Sequence, residues 1–254
     1  MKKYFLIASL LSLVVCNSVF AEGTLSNNIR IESKALGYAL QYRVYVPQGI
    51  QPNEKVSTIY IVDGQWYISE GKMVRVLNNE IRGGNIKPVI AIFVDSRSPD
   101  NLRENRRHKQ FICNKKYVSF FKNELLPEIT TSYPVSDTRT ERVILGLSLG
   151  GYNAACFGLM ANDVFKGIAM QSPANTQILY KMAMVYRDVE KQDLKIFMSV
   201  GKKNDSTKAG RFFKETLQDK KYDLTYKEVN FGHNWSNWRP LLDDVLVTFF
   251  GNDK

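Results

Sequence analysis

Residues 142–161, RVILGLSLGGYNAACFGLMA, constrain this chain more than any other stretch. An apolar run ends in Gly146-Leu147-Ser148-Leu149-Gly150, and small residues at helical spacing follow at once. A strand that turns this abruptly into a helix forces its apex residue into a strained backbone conformation, and side chains beside the apex would collide. Glycine on both sides removes the collision. Ser148 then stands clear of the sheet at the positive N-terminal end of a helix. This G-x-S-x-G pattern is that of a nucleophile elbow, and the preceding strand and following helix are the context it requires. The amide of Leu149 is the first expected donor to an oxyanion.

The rest of the chain is read around that turn. Runs at 29–33 and 41–46 flank the turn-prone Leu36-Gly37 and predict a hairpin. A β-branched and aromatic strand is expected at 56–62, then a helix at 69–81 closed by Gly83-Gly84. The wholly apolar 88–94, PVIAIFV, reads as a central parallel strand. A long polar loop follows at 95–115, then an amphipathic helix at 117–131 that Pro127 shortens or bends. Strands at 142–147, 165–170, 196–200 and 224–229 are interleaved with helices at 149–161, 212–218 and 240–249. Such alternation predicts an α/β fold with a mostly parallel central sheet flanked by helices. Ligands of such sheets bind beyond the carboxyl ends of the strands. No internal repeat or low-complexity tract divides the chain, so residues 22–254 are expected to form one domain.

Residues 1–21 are set apart. Lys2 and Lys3 precede an almost wholly apolar run at 4–15, and Val19-Phe20-Ala21 ends in a small residue. That is the pattern of a secretory signal cleaved after about Ala21, and it points to a periplasmic or secreted protein. The run is too short to span a bilayer. Val15 before Cys16 is not the small residue that lipoprotein processing requires. The remaining cysteines, Cys113 and Cys156, can pair in an oxidising compartment, or Cys156 can be a packed core thiol. The formal charge of +10 falls to +8 without Lys2 and Lys3, the only charges in residues 1–21. The positive charge is scattered, which argues against nucleic acid as a partner. One dense run, Arg103, Arg106, Arg107, His108 and Lys109, is either a solvated loop or a site for an anionic substrate. No Cys/His cluster has metal-ligand spacing, and no cofactor is expected.

A nucleophilic serine needs a base, and there are two histidines. The elbow requires the chain order serine, acid, histidine, which selects His233 over His108. Gly201 ends the strand at 196–200 and Asp205 follows, so Asp205 is the expected acid; its alternative use is to cap the next helix. Asp193 precedes that strand and Glu228 lies within another. The second oxyanion donor is expected at the end of the strand at 56–62, in Val62-Asp63-Gly64-Gln65, as the amide of Gln65. A plain turn backed by core aromatics is the alternative there.

With these residues assigned, the chain resembles the enterochelin-esterase and esterase-D group of α/β hydrolases. The resemblance rests on Tyr60 to Gln65, on Val94-Asp95-Ser96 with the arginine-bearing loop, and on FKNELLPEI at 121–129. It rests further on the elbow and on Gly232-His233-Asn234-Trp235 with Trp238-Arg239. Asn234 stands where the family often has aspartate, and Arg106 where an acid is often seen. The resemblance implies an α/β-hydrolase fold and a serine hydrolase of small-molecule esters, with Ser148, Asp205 and His233 as its triad. Trp66, Arg103, Arg106 and Trp235 are the candidate substrate contacts. Members of the group include siderophore trilactone esterases, feruloyl or carbohydrate esterases, and acyltransferases. A transferase, or a binding protein on a hydrolase scaffold, are the alternative readings.

Overall fold

Strand residues here alternate between two apolar layers, and that alternation builds the molecule. The computed structural model describes residues 22–51 and 53–252, so the signal reading of residues 1–21 lies outside it. Nine strands form one sheet: β1 (Thr24–Leu25), β2 (Ile29–Ser33), β3 (Tyr38–Val46), β4 (Ser57–Val62), β5 (Val89–Asp95), β6 (Arg142–Leu147), β7 (Gly167–Gln171), β8 (Lys195–Gly201) and β9 (Asp223–Val229). Their order is β1-β3-β5-β4-β6-β7-β8-β9, with β2 also paired to β3. Pairs involving β3 are antiparallel, and the six strands from β5 to β9 run parallel.

Along β4, Tyr60 and Val62 enter one core layer while Ile59 and Ile61 enter the other. β5 divides likewise, with Ile90, Ile92 and Val94 on one face and Val89, Ala91 and Phe93 on the other. A strand buried on both faces must be apolar throughout, which is why these runs lack polar alternation. Helices Leu149–Met160, Thr176–Asp188 and Thr207–Asp219 contribute buried side chains to the first layer, and Leu242–Phe250 to the second. Among the described residues no helix is long and apolar enough to cross a membrane.

Three expectations are refined. The helix expected at 69–81 is two helices, Gly64–Ser69 and Met73–Arg82, the first opening directly on the end of β4. The segment around Pro127 stays helical from Lys115 to Ser132 through a π-turn at Phe121–Leu125. The wider turn accommodates a residue that has no N–H to donate. Helix Thr176–Asp188 falls where no element was expected. Its signal was present: Leu179, Met182, Ala183 and Tyr186 are buried at helical spacing, and the Asn175 side chain accepts from the Ile178 N–H.

Cys113 and Cys156 form a disulfide. Cys156 is fully buried as a core residue, but in the disulfide and not as a free thiol. The bond ties the loop before helix Lys115–Phe120 to the helix that follows Ser148. It spans 43 residues of chain, and closing such a loop in the unfolded state is worth about 4 kcal/mol in the chain-entropy model. Cys113→Ser with Cys156→Ser is therefore expected to lower unfolding free energy in urea by about that amount. Equal midpoints for oxidised, reduced and doubly substituted protein would contradict it.

Candidate active site

β6 delivers Ser148 to the carboxyl edge of the sheet, and the turn there is as tight as the sequence requires. Ser148 has φ 54° and ψ −124°. A Cβ on Gly146 would lie 2.2 Å from the Gly150 carbonyl oxygen, so any larger residue would force the turn open. The Ser148 N–H donates to the Gln171 carbonyl at 2.8 Å, anchoring the apex to the end of β7. The strain, about 1–3 kcal/mol, is held by the packing of sheet and helix around it.

His233 and Asp205 meet Ser148 from two other strand ends. His233 Nε2 lies 2.8 Å from Ser148 Oγ, and His233 Nδ1 lies 2.9 Å from Asp205 Oδ1. Burial by itself would raise the Asp205 pKa. Hydrogen bonds from His233, the Ser172 hydroxyl and the N–H groups of Gly201 and Ser206 outweigh burial and hold it below its ordinary value. An ionised carboxylate can only accept, so Nδ1 carries the imidazole hydrogen and Nε2 presents its lone pair to the serine hydroxyl. The imidazole is one-third exposed, while the Asp205 side chain is sealed from solvent.

Three residues that sequence reasoning did not assign complete this arrangement. The Ser172 hydroxyl donates to Asp205 Oδ2 at 2.6 Å and accepts from Trp238 Nε1 at 2.9 Å. Asn237 Nδ2 donates to Ser172 Oγ at 3.2 Å and to the Gly232 carbonyl at 3.0 Å, fixing the loop that carries His233. The Trp238 ring meets the His233 ring edge-on at 5.1 Å. Ser172 follows directly on β7, and a polar residue at a strand's carboxyl end was the signal that could have found it. Asn234 caps the short helix Trp235–Trp238 by accepting from the Ser236 N–H. An aspartate would serve the same cap.

A cavity of about 510 Å³ opens over Ser148 and His233. Its other walls include Leu149, Ile178, Asn175, Asn204 and Arg107. No backbone carbonyl among the described residues accepts from the Leu149 N–H, and the same holds for Gln65. The Gln65 side chain turns away, pairing with Ser96 through both its amide nitrogen and its oxygen.

The arginine loop reaches the cavity through a different residue from those expected. Arg103 is exposed and does not line it. Arg106 is committed elsewhere, to Glu104, the Ala39 carbonyl and the face of Tyr38. Arg107 lines the cavity instead, with Nε donating to Asp63 at 2.9 Å and its guanidinium 5.2 Å from the Trp66 ring centroid. Burial pushes Asp63 up to about 6, against the opposing pull of Arg107 and Ser96. The loop's path decides which of adjacent arginines faces inward, and nothing in their spacing encodes it. Trp66 thus backs Arg107, and Trp235 packs edge-on against Tyr67 and Trp238 outside the residues that line the cavity. Among the described residues no group of three or more His, Cys, Asp or Glu side chains could hold a metal ion.

The family model described as "Putative esterase" matches residues 33–249. An uncharacterised Bacillus subtilis protein, YjcH, is 26% identical over 223 residues, covering 84% of this chain and 92% of its own length. An iron(III) enterobactin esterase of Yersinia enterocolitica is 23% identical over 141 residues, 56% of this chain; the match spans only 38% of that protein. A solved ferulic acid esterase superposes with a TM-score of 0.78 at 18% identity, covering 91% of this chain and 99% of the other. With a sheet and elbow of the α/β-hydrolase kind and a family match over most of its length, the chain belongs to this esterase family, and esterases of iron(III) enterobactin are among the proteins it is similar to.

Proposed function

We propose that this protein is a serine carboxylic-ester hydrolase. The observation that carries the reading is the bridge made by one imidazole, 2.8 Å from the Ser148 hydroxyl on one side and 2.9 Å from the Asp205 carboxylate on the other. Ser148 Oγ attacks the ester carbonyl as its proton passes to His233 Nε2. Asp205 stabilises the resulting imidazolium through Nδ1–H. The carbonyl oxygen, now an oxyanion, accepts from the N–H groups of Leu149 and Gln65. Collapse of the tetrahedral intermediate breaks the ester C–O bond, and the alcohol leaves with the proton from Nε2. Water then attacks the acyl-serine by the same route in reverse, releasing the acid. Siderophore trilactones are the first substrates to test, because esterases of iron(III) enterobactin are among the relatives. The reading of residues 1–21 would place that activity in the periplasm or outside the cell.

A fluorophosphonate probe tests the chemistry without knowledge of the substrate. The intact protein is expected to take up one probe, and peptide mapping to find it on the peptide carrying Ser148. A panel of acyl and aryl esters of graded length, with a siderophore trilactone, then reports turnover. Product analysis with added acceptor alcohols distinguishes hydrolysis from acyl transfer. An unlabelled serine in folded protein, with no ester cleaved, would instead fit a binding protein on a hydrolase scaffold.

A further inference from the structure

The hydroxyl of Ser172 has an unusual set of neighbours. It is fully buried, in a residue with φ 44°, and its N–H is anchored to the Ser199 carbonyl at 2.7 Å. An indole nitrogen can only donate, so the 2.9 Å contact from Trp238 Nε1 occupies a lone pair of Ser172 Oγ. Asn237 Nδ2 approaches the same oxygen at 3.2 Å. With donors at its acceptor sites, the hydroxyl has one direction left for its hydrogen: Asp205 Oδ2, at 2.6 Å. A hydroxyl that could rotate would act as donor or acceptor by turns; this one is constrained to donate.

We propose that Ser172 is a positioning residue for the reaction, a relay through which the Trp238 indole fixes the orientation and charge distribution of the Asp205 carboxylate. The inference rests on the serine-esterase reading above. Ser172 and the Gly201 N–H engage Oδ2, at 2.6 and 2.7 Å, which leaves Oδ1 for His233 and the Ser206 N–H. The carboxylate plane is therefore set by donors on three elements, and His233 meets an oxygen that cannot swing away. Trp238 also packs its ring edge-on against the imidazole, so one side chain steers both ends of the Asp205–His233 contact.

This role makes a prediction that simple packing does not. Each hydrogen bond donated to Asp205 draws negative charge from the oxygen facing His233. Without the Ser172 hydroxyl the carboxylate holds the imidazolium more strongly, and the imidazole becomes a stronger base. Catalysis requires the neutral imidazole, so the acid limb of kcat/KM should move to higher pH. The other charged or titratable groups near the pair are Lys202, Lys208 and Arg211 beside Asp205, Tyr226 nearby, and Arg107 and His108 across the cavity; none is altered by the substitution.

Ser172→Ala and Trp238→Phe are to be compared with the intact protein on the best ester of the panel. Ser172→Ala is expected to lower kcat/KM roughly 10-fold, the scale of one hydrogen bond to a charged group. Its acid limb should move up by roughly half a pH unit. Trp238→Phe keeps an aromatic side chain but loses the indole donor together with part of the ring's volume, and should shift the limb in the same direction by less. A fall in kcat/KM with an unmoved pH profile in both variants would reduce Ser172 to packing and overturn the proposal. So would unchanged kinetics in either variant, and if Ser172→Ala does not fold, Trp238→Phe decides alone. Labelling of the intact protein at Ser148 keeps failure of this inference distinct from failure of the esterase reading.

Discussion

Replacing Ser148 with alanine is expected to lower kcat by on the order of 10⁶-fold, the size of effect seen when the nucleophile of another serine hydrolase is removed. The backbone at this position is strained, with φ 54°, and alanine fits it no worse than serine. Gly146 and the Ser148 N–H bond to Gln171 hold the turn whatever side chain the apex carries. Fold and thermal midpoint should therefore be nearly unchanged while turnover collapses. The remaining rate would come from the N–H groups that donate to the developing oxyanion, which the substitution leaves in place. Circular dichroism, probe labelling and steady-state kinetics on the same preparation check all three statements. A Ser148→Ala protein that still cleaves the ester within tenfold of the parent would end the serine mechanism.

Asp205→Asn should lower kcat by about 10⁴-fold, for a reason that lies in the tautomer. The carboxylate makes Nδ1 the protonated nitrogen and frees Nε2 to take the Ser148 proton. An amide nitrogen facing His233 would donate to Nδ1 and put the hydrogen on Nε2, where the serine has no acceptor left. Turning the amide over does not resolve this cleanly. Oδ1 also accepts from the Ser206 N–H, and Oδ2 from the Gly201 N–H and the Ser172 hydroxyl. An NH₂ group at either place therefore confronts a donor, and some stability is lost as well.

Stability should depend on pH in the matching sense. The folded-state pKa of Asp205 lies below its ordinary 3.8 because the accepted hydrogen bonds outweigh burial. Such a group contributes stability that is fully present above 3.8 and lost as pH falls through the lower folded value. The parent should accordingly lose more stability than Asp205→Asn on acidification below pH 4, measured by urea unfolding at matched ionic strength. Parallel curves would mean that the carboxylate is not held by these donors.

The three side chains of the candidate site that the structure brings together were legible along the chain, and most of what surrounds them was not. Ser148 was marked by the glycines around it, and His233 by being one of two histidines and the only one downstream of the elbow. Asp205 could be inferred because a residue just beyond a parallel strand reaches the carboxyl edge. Ser172, Asn237 and Trp238 carry no comparable pattern, since a buried hydrogen-bond network is defined by where three separate strand ends meet. The arginines show the same limit. Arg103, Arg106 and Arg107 are near neighbours in the sequence, yet Arg107 alone turns onto the cavity, drawn by a buried carboxylate 44 positions away at Asp63.

Periodicity and glycine placement act over a few residues, so the alternation of elements, the central place of the wholly apolar β5 and the elbow could be read along the chain. The order of strands in the sheet, the pairing of Cys113 with Cys156, and the donors that orient Asp205 were decided only in the tertiary structure. Each of these is a contact between segments tens of residues apart. Its energy depends on distance and direction in space, and neither is encoded in any local run of amino acids.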